Sequence, residues 1–130
     1  MKKYLTWDDI DKSVDKLCDK VDKDVTGVFG IPRGGLIIAV MISHKLNIPY
    51  HEELRNLYGS KFLLVDDIAD TGKTLGHYTG LGFGEMVTGT IHYHKQSSIE
   101  PDYWVDEKGD DWIVYPWEQD DSEEIQDYLV

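Results

Sequence analysis

Three carboxylates and a short polar turn stand together at residues 66–74, and they are residue types that could grip a phosphorylated sugar. Asp66 and Asp67 follow the apolar run Phe62-Leu63-Leu64-Val65, and Asp70 precedes Thr71-Gly72-Lys73-Thr74. Backbone N–H groups at a glycine turn leading into a helix point at an anion, while paired carboxylates accept hydrogen bonds from hydroxyls or hold a hard cation. A second turn, Pro32-Arg33-Gly34-Gly35, offers N–H groups with no Cβ in the way and a guanidinium beside them. Two anion sites at one sheet end are what a molecule phosphorylated at two positions requires. Gly72-Lys73-Thr74 is not the tail of a nucleotide-binding P-loop. That motif needs a glycine five residues before Gly72, where Asp67 would repel a phosphate. The plain alternative is a solvated acidic turn. Three carboxylates, two threonines and a glycine directly after a buried apolar run argue against it.

The elements that must position these residues follow from the pattern around them. Phe62–Val65 has no polar break, which suits a strand buried on both faces of a parallel sheet, ending where Asp66 and Asp67 begin. Val25–Ile31 reads as another core strand, followed by the arginine-glycine turn and an apolar helix over Leu36–Leu46 that stops at Asn47. Ile48–Glu52 is a further strand, Lys73–Thr79 a short helix and Met86–Tyr93 a β-rich alternating run. Near the start, Thr6 is placed to cap a helix with Asp8 and Asp9 in its first turn and Ile10, Val14, Leu17, Cys18 and Val21 on one stripe. Tyr103–Val105 and Trp112–Tyr115 read as a hairpin around Glu107-Lys108-Gly109-Asp110, and Gln119–Leu129 as a short terminal helix or tail. The fold class is therefore α/β, a central mostly parallel sheet flanked by helices with a small C-terminal hairpin, and residues 1–130 form one domain.

Charge and cysteine usage narrow the function. With 13 Lys and Arg against 25 Asp and Glu, the net charge of −12 argues against a nucleic-acid binder, which needs a basic face. An anionic substrate must then be held by local donors, because the overall field opposes its approach. The single cysteine, Cys18, excludes an internal disulfide and suits a reducing compartment. No stretch resembles a signal peptide or is long enough to span a bilayer, so a cytoplasmic protein with no membrane partner is expected.

Val65-Asp66-Asp67-Ile68-Ala69-Asp70-Thr71-Gly72-Lys73-Thr74 resembles the signature with which type I phosphoribosyltransferases bind phosphoribosyl pyrophosphate (PRPP). Gly27–Leu36 is similar to that family's pyrophosphate loop. Glu100–Glu118 is similar to the end of its bacterial xanthine-guanine and hypoxanthine branch. The three matches occur in the family's order and frame nearly the whole chain. The resemblance implies transfer of ribose 5-phosphate from PRPP to guanine, xanthine or hypoxanthine, giving a purine nucleoside monophosphate and pyrophosphate. It implies that Asp66, Asp67, Ala69, Asp70, Thr71, Gly72, Lys73 and Thr74 hold PRPP, and that Arg33, Gly34 and Gly35 hold pyrophosphate. Asp70 would manage the proton at purine N7. Lys95, Trp112 and Ile113 would meet the base, the hairpin lying over it. Asp67 and Glu118 would serve Mg²⁺. The family also places a non-proline cis peptide at Pro32–Arg33 and commonly forms homo-oligomers, dimers or tetramers. One departure stands out: the stretch 50–61, where the family carries a longer flap, is only about a dozen residues. This motivates the alternative of a catalytically weak protein that binds or senses PRPP or a nucleotide on the same fold.

Overall fold

The computed structural model describes residues 1–82 and 84–118. Five strands form the central sheet in the order β3-β2-β4-β5-β6, with every pairing parallel. They are β2 (Val28–Gly30), β3 (Tyr50–His51), β4 (Lys61–Ala69), β5 (Glu85–Tyr93) and β6 (Tyr103–Glu107). β1 (Lys2–Tyr4) lies outside that sheet and pairs in parallel with β7 (Trp112–Val114), placing Lys2 opposite Trp112 and Lys3 opposite Ile113. The helices are α1 (Trp7–Lys20), α2 (Gly34–Leu46) and α3 (Lys73–Thr79), with one 3₁₀ turn at Leu54–Leu57.

β4 shows why an unbroken apolar run was needed. Side chains alternate across a strand, so Leu63 and Val65 join Ile10, Val14, Leu17, Ile38 and Ile42 in one cluster under α1 and α2. Phe62 and Leu64 enter a second cluster with Phe29, Ile31, Leu57 and Leu75 on the other face. Both faces are covered, as parallel sheets require. α1 is held at its start by a reciprocal cap: Thr6 Oγ1 accepts from the Asp9 backbone N–H at 3.1 Å and Asp9 Oδ2 accepts from that of Thr6 at 2.9 Å. α2 ends at Asn47 in the left-handed conformation, φ 54°.

Two expectations are corrected. Tyr103–Glu107 and Trp112–Val114 are not a hairpin, because β6 pairs with β5 and β7 with β1, each in parallel. The turn residues between them connect two sheets, so local turn chemistry alone misdirected the pairing. β4 also runs past Val65 to Ala69, so Asp66 and Asp67 lie within the strand, Asp66 opposite Thr90 of β5. The Pro32–Arg33 peptide is cis. The helix read at Gln119–Leu129 lies outside the described residues.

Candidate functional site

The two glycine turns leave the carboxyl ends of neighbouring parallel strands, β2 and β4, and close packing joins them. Gly30 lies against the Gly35 carbonyl and Ala39, and Gly35 against the Val65 carbonyl, so the start of α2 sits on β4 at van der Waals distance. Ile31 N–H donates to the Val65 carbonyl at 2.9 Å, and Gly35 N–H to that of Ile31 at 2.8 Å. A Cβ on Gly34 would overlap the Asp67 carboxylate. Only glycine lets the arginine-glycine turn approach the acidic strand this closely. Arg33 is exposed at the rim. Asp66 is 4% exposed, and its Oδ1 accepts from the Asp67 N–H at 2.9 Å, which orients one acid against the next.

The turn after β4 is braced by the segment following β5. Ala69, buried, accepts from His94 N–H at 2.9 Å, and Thr71 accepts from Ser98 N–H at 2.9 Å. Thr71 Oγ1 accepts from Lys73 N–H at 3.3 Å. Gly72 has φ 89°, and a Cβ there would also run into Ser98. Lys73 is exposed and Thr74 half-buried on the first turn of α3.

Asp70 has three polar side chains around it. Its Oδ2 accepts from Lys108 Nζ at 3.3 Å, and its Oδ1 from Gln96 Nε2 at 3.2 Å. His94 Nδ1 lies 3.0 Å from Oδ1 but off the hydrogen-bonding direction, so that buried nitrogen is near a carboxylate without being bonded to it. Lys108 Nζ also lies over the Trp112 ring, 5.9 Å from its centroid. Trp112 is 40% exposed, while Ile113 is 8% exposed beside it. The Lys95 ammonium is at the surface, 3.7 Å from Glu107 Oε1. The sequence carried no sign of Lys108, a lysine in an ordinary turn.

Beneath the acids sits a polar pair that motif reading also missed. His92 Nδ1 is 2.8 Å from the Tyr115 hydroxyl, which is 3.4 Å from the Asp67 carbonyl oxygen. Burial pushes the His92 imidazole down to about 4, so it is neutral at pH 7. Burial, with the Asp67, Asp66, Glu118 and Asp70 carboxylates, drives the Tyr115 hydroxyl well above its ordinary range, so it stays protonated. Glu118 Oε1 accepts from the Tyr115 N–H at 2.9 Å.

The donors at this rim are oxygen. Among the described residues no three His, Cys, Asp or Glu side chains converge as a metal cage. Paired carboxylates of this kind fit Mg²⁺, which takes one or two from the protein and fills its shell with water and substrate oxygens. Asp67 has that position, facing Gly34, whereas Glu118 uses one oxygen on its own turn. No helix among the described residues is long and apolar enough to cross a membrane.

No family model matches the chain. The xanthine-guanine phosphoribosyltransferase of Chromohalobacter salexigens is 29% identical over 134 residues, covering 88% of this chain and 82% of its own. The solved structure of a purine phosphoribosyltransferase from Pyrococcus horikoshii is 32% identical with a TM-score of 0.81, covering 95% of this chain and 99% of its own. A hypothetical protein from Neisseria gonorrhoeae, solved with bound ppGpp, shares the fold at 22% identity and a TM-score of 0.79, covering 93% of this chain and 91% of its own.

Proposed function

The chain belongs to the type I phosphoribosyltransferase family, and from that premise we propose that it transfers ribose 5-phosphate from PRPP to guanine, xanthine or hypoxanthine with release of pyrophosphate. The observation that carries this reading is the approach of Gly34 to Asp67, which sets a glycine anion loop against a pair of sugar-binding acids at one rim of the sheet.

The reaction displaces pyrophosphate from the anomeric carbon by a purine nitrogen. Positive charge builds on the ribose and negative charge on the leaving group, so fixed charges and donors lower the barrier. Arg33 with the N–H groups of Gly34 and Gly35 binds the pyrophosphate, and the segment from Ala69 to Thr74 binds the 5′-phosphate. Asp66 and Asp67 accept from the ribose hydroxyls and hold positive charge near the anomeric carbon. Asp67, with Asp66, would hold Mg²⁺, which when bound neutralises charge on the pyrophosphate oxygens. Trp112 supplies a flat face for the base and Ile113 packs its rim. Asp70 is the group placed to take the proton at N7.

Incubation with PRPP, Mg²⁺ and each purine in turn tests this. Nucleotide and pyrophosphate should accumulate in equal amounts with at least one 6-oxopurine. A specific observation favours a second reading. The 50–61 stretch holds only the two-residue β3 and one 3₁₀ turn, little with which to exclude water from the reacting centre. The fold-sharing protein with bound ppGpp is consistent with nucleotide binding on this scaffold. Binding of PRPP or nucleotide without product would favour that binding or sensing role.

A further inference from the structure

The turn after β5 is tied to the end of β4 at the residue next to Asp70. His94 N–H donates to the Ala69 carbonyl at 2.9 Å, and the His94 carbonyl accepts from Ser97 N–H at 2.9 Å, so the backbone of His94 is held on both sides. This sets its ring against Asp70, with Nδ1 3.0 Å from Oδ1 and the two side chains 22% and 21% exposed. That nitrogen is itself buried and has no hydrogen-bond partner among the described residues. Beside a carboxylate, Nδ1 carries the hydrogen of the neutral ring, because a lone pair there would face a negative oxygen. A buried N–H left unpaired is unfavourable, and a small turn of the ring about its two side-chain torsions points it at Oδ1. The other two donors to this carboxylate are looser. Gln96 Nε2 stands 3.2 Å from Oδ1 and Lys108 Nζ 3.3 Å from Oδ2, against about 2.7 to 2.9 Å for a well-made charge-assisted bond, and both end longer, more flexible side chains.

We propose that His94 is a positioning residue: its Nδ1–H closes onto Asp70 Oδ1 when the base is bound and fixes the plane in which that carboxylate meets the hydrogen on purine N7. This rests on the purine reading of the site above, in which Asp70 faces N7. Hydrogen bonds at such sites are often misaligned in the free protein and tighten only around the bound molecule. A carboxylate free to swing presents few orientations that make a short, straight bond, so fixing it strengthens the contact with an N7–H although His94 does not touch the base.

The test is calorimetric binding of two nucleotides to the full chain, alongside the product assay. 9-Deazainosine 5′-monophosphate carries a hydrogen on N7, whereas inosine 5′-monophosphate has a bare lone pair there. Wild-type protein should prefer the 9-deaza nucleotide by roughly tenfold or more, the scale of a hydrogen bond to a charged group. His94→Leu, with His94→Ala as a second variant should the first fold poorly, should lower that ratio about fivefold, the scale of one ordinary hydrogen bond, by weakening the 9-deaza nucleotide. His94→Asn puts an amide N–H where Nδ1 stands and should restore most of the ratio, which a purely structural role for the ring would not predict. An unchanged ratio in a folded His94→Leu or His94→Ala protein, a loss in His94→Asn as large as in His94→Leu, or no preference in the wild type would overturn the assignment. A wild type and variants that follow this pattern while no nucleotide forms from PRPP would instead overturn transfer and leave the His94 assignment standing.

Discussion

The Asp67 carboxylate occupies the space where a Cβ on Gly34 would have to be. Gly35, one residue on, has the backbone of Val65 and Asp66 in that space instead. The two glycines should therefore respond differently to alanine. Gly34→Ala can be accommodated by turning the Asp67 side chain, so its melting temperature should stay within a few degrees while PRPP affinity falls. Gly35→Ala pushes on backbone and should lose about 1 to 3 kcal/mol. Thermal melts with PRPP titrations of both variants check this, and a Gly34→Ala protein with normal affinity would remove Asp67 from the sugar site.

Asp70→Asn should lower turnover by about 10² to 10⁴-fold while PRPP binding is largely kept, as expected for a lost proton acceptor. Equal losses of rate and binding would mean that Asp70 serves the phosphate turn. The substitution also leaves Lys108 without its carboxylate, at an expected stability cost of about 1 to 2 kcal/mol. Adding Lys108→Gln should recover most of that cost, and denaturant melts of the double-mutant cycle measure it.

PRPP with Mg²⁺ at 100 times its dissociation constant should stabilise the chain by about 2.7 kcal/mol. Replacing Mg²⁺ by a chelator should shrink that shift several-fold. Equal shifts with and without the ion would argue that Asp66 and Asp67 bind ribose alone.

His92 should make the fold sensitive to mild acid. Its folded value of about 4 lies below the ordinary 6.5, so the unfolded chain takes up the proton first. Its contribution is present above about pH 6.5 and is lost as pH falls toward 4, a change of up to about 3 kcal/mol. His92→Gln should flatten the stability profile between pH 6.5 and 5. An unaltered profile would show that other groups set the acid response.

The sequence made local and motif-borne features legible, and non-local ones much less so. Periodicity located α1 and β5, because an apolar stripe or alternation reports on burial. β4 was recognised but cut short, since Asp66 and Asp67 look like a strand end although both lie within the strand and Asp66 is paired with Thr90. β1 and β7 were obscured for another reason: three-residue strands whose partners lie at the other end of the chain have no local signature. Lys108 was missed because its role depends on β6 reaching the end of β5, a pairing that no motif encodes. The Arg33-Gly34-Gly35 and Asp66–Thr74 turns were visible because close backbone approach restricts residue type to glycine.

The pairing of Lys2–Tyr4 with Trp112–Val114 has a consequence for biosynthesis. While a ribosome is still making the chain, the strand carrying Trp112 does not yet exist, and the first strand must wait unpaired until it emerges. The sugar-phosphate half of the cleft can take shape earlier, from β2, α2 and β4. The aromatic shelf is added later, when Trp112–Val114 emerges and joins Lys2–Tyr4. An affinity tag fused ahead of Met1 would then be expected to perturb the shelf first.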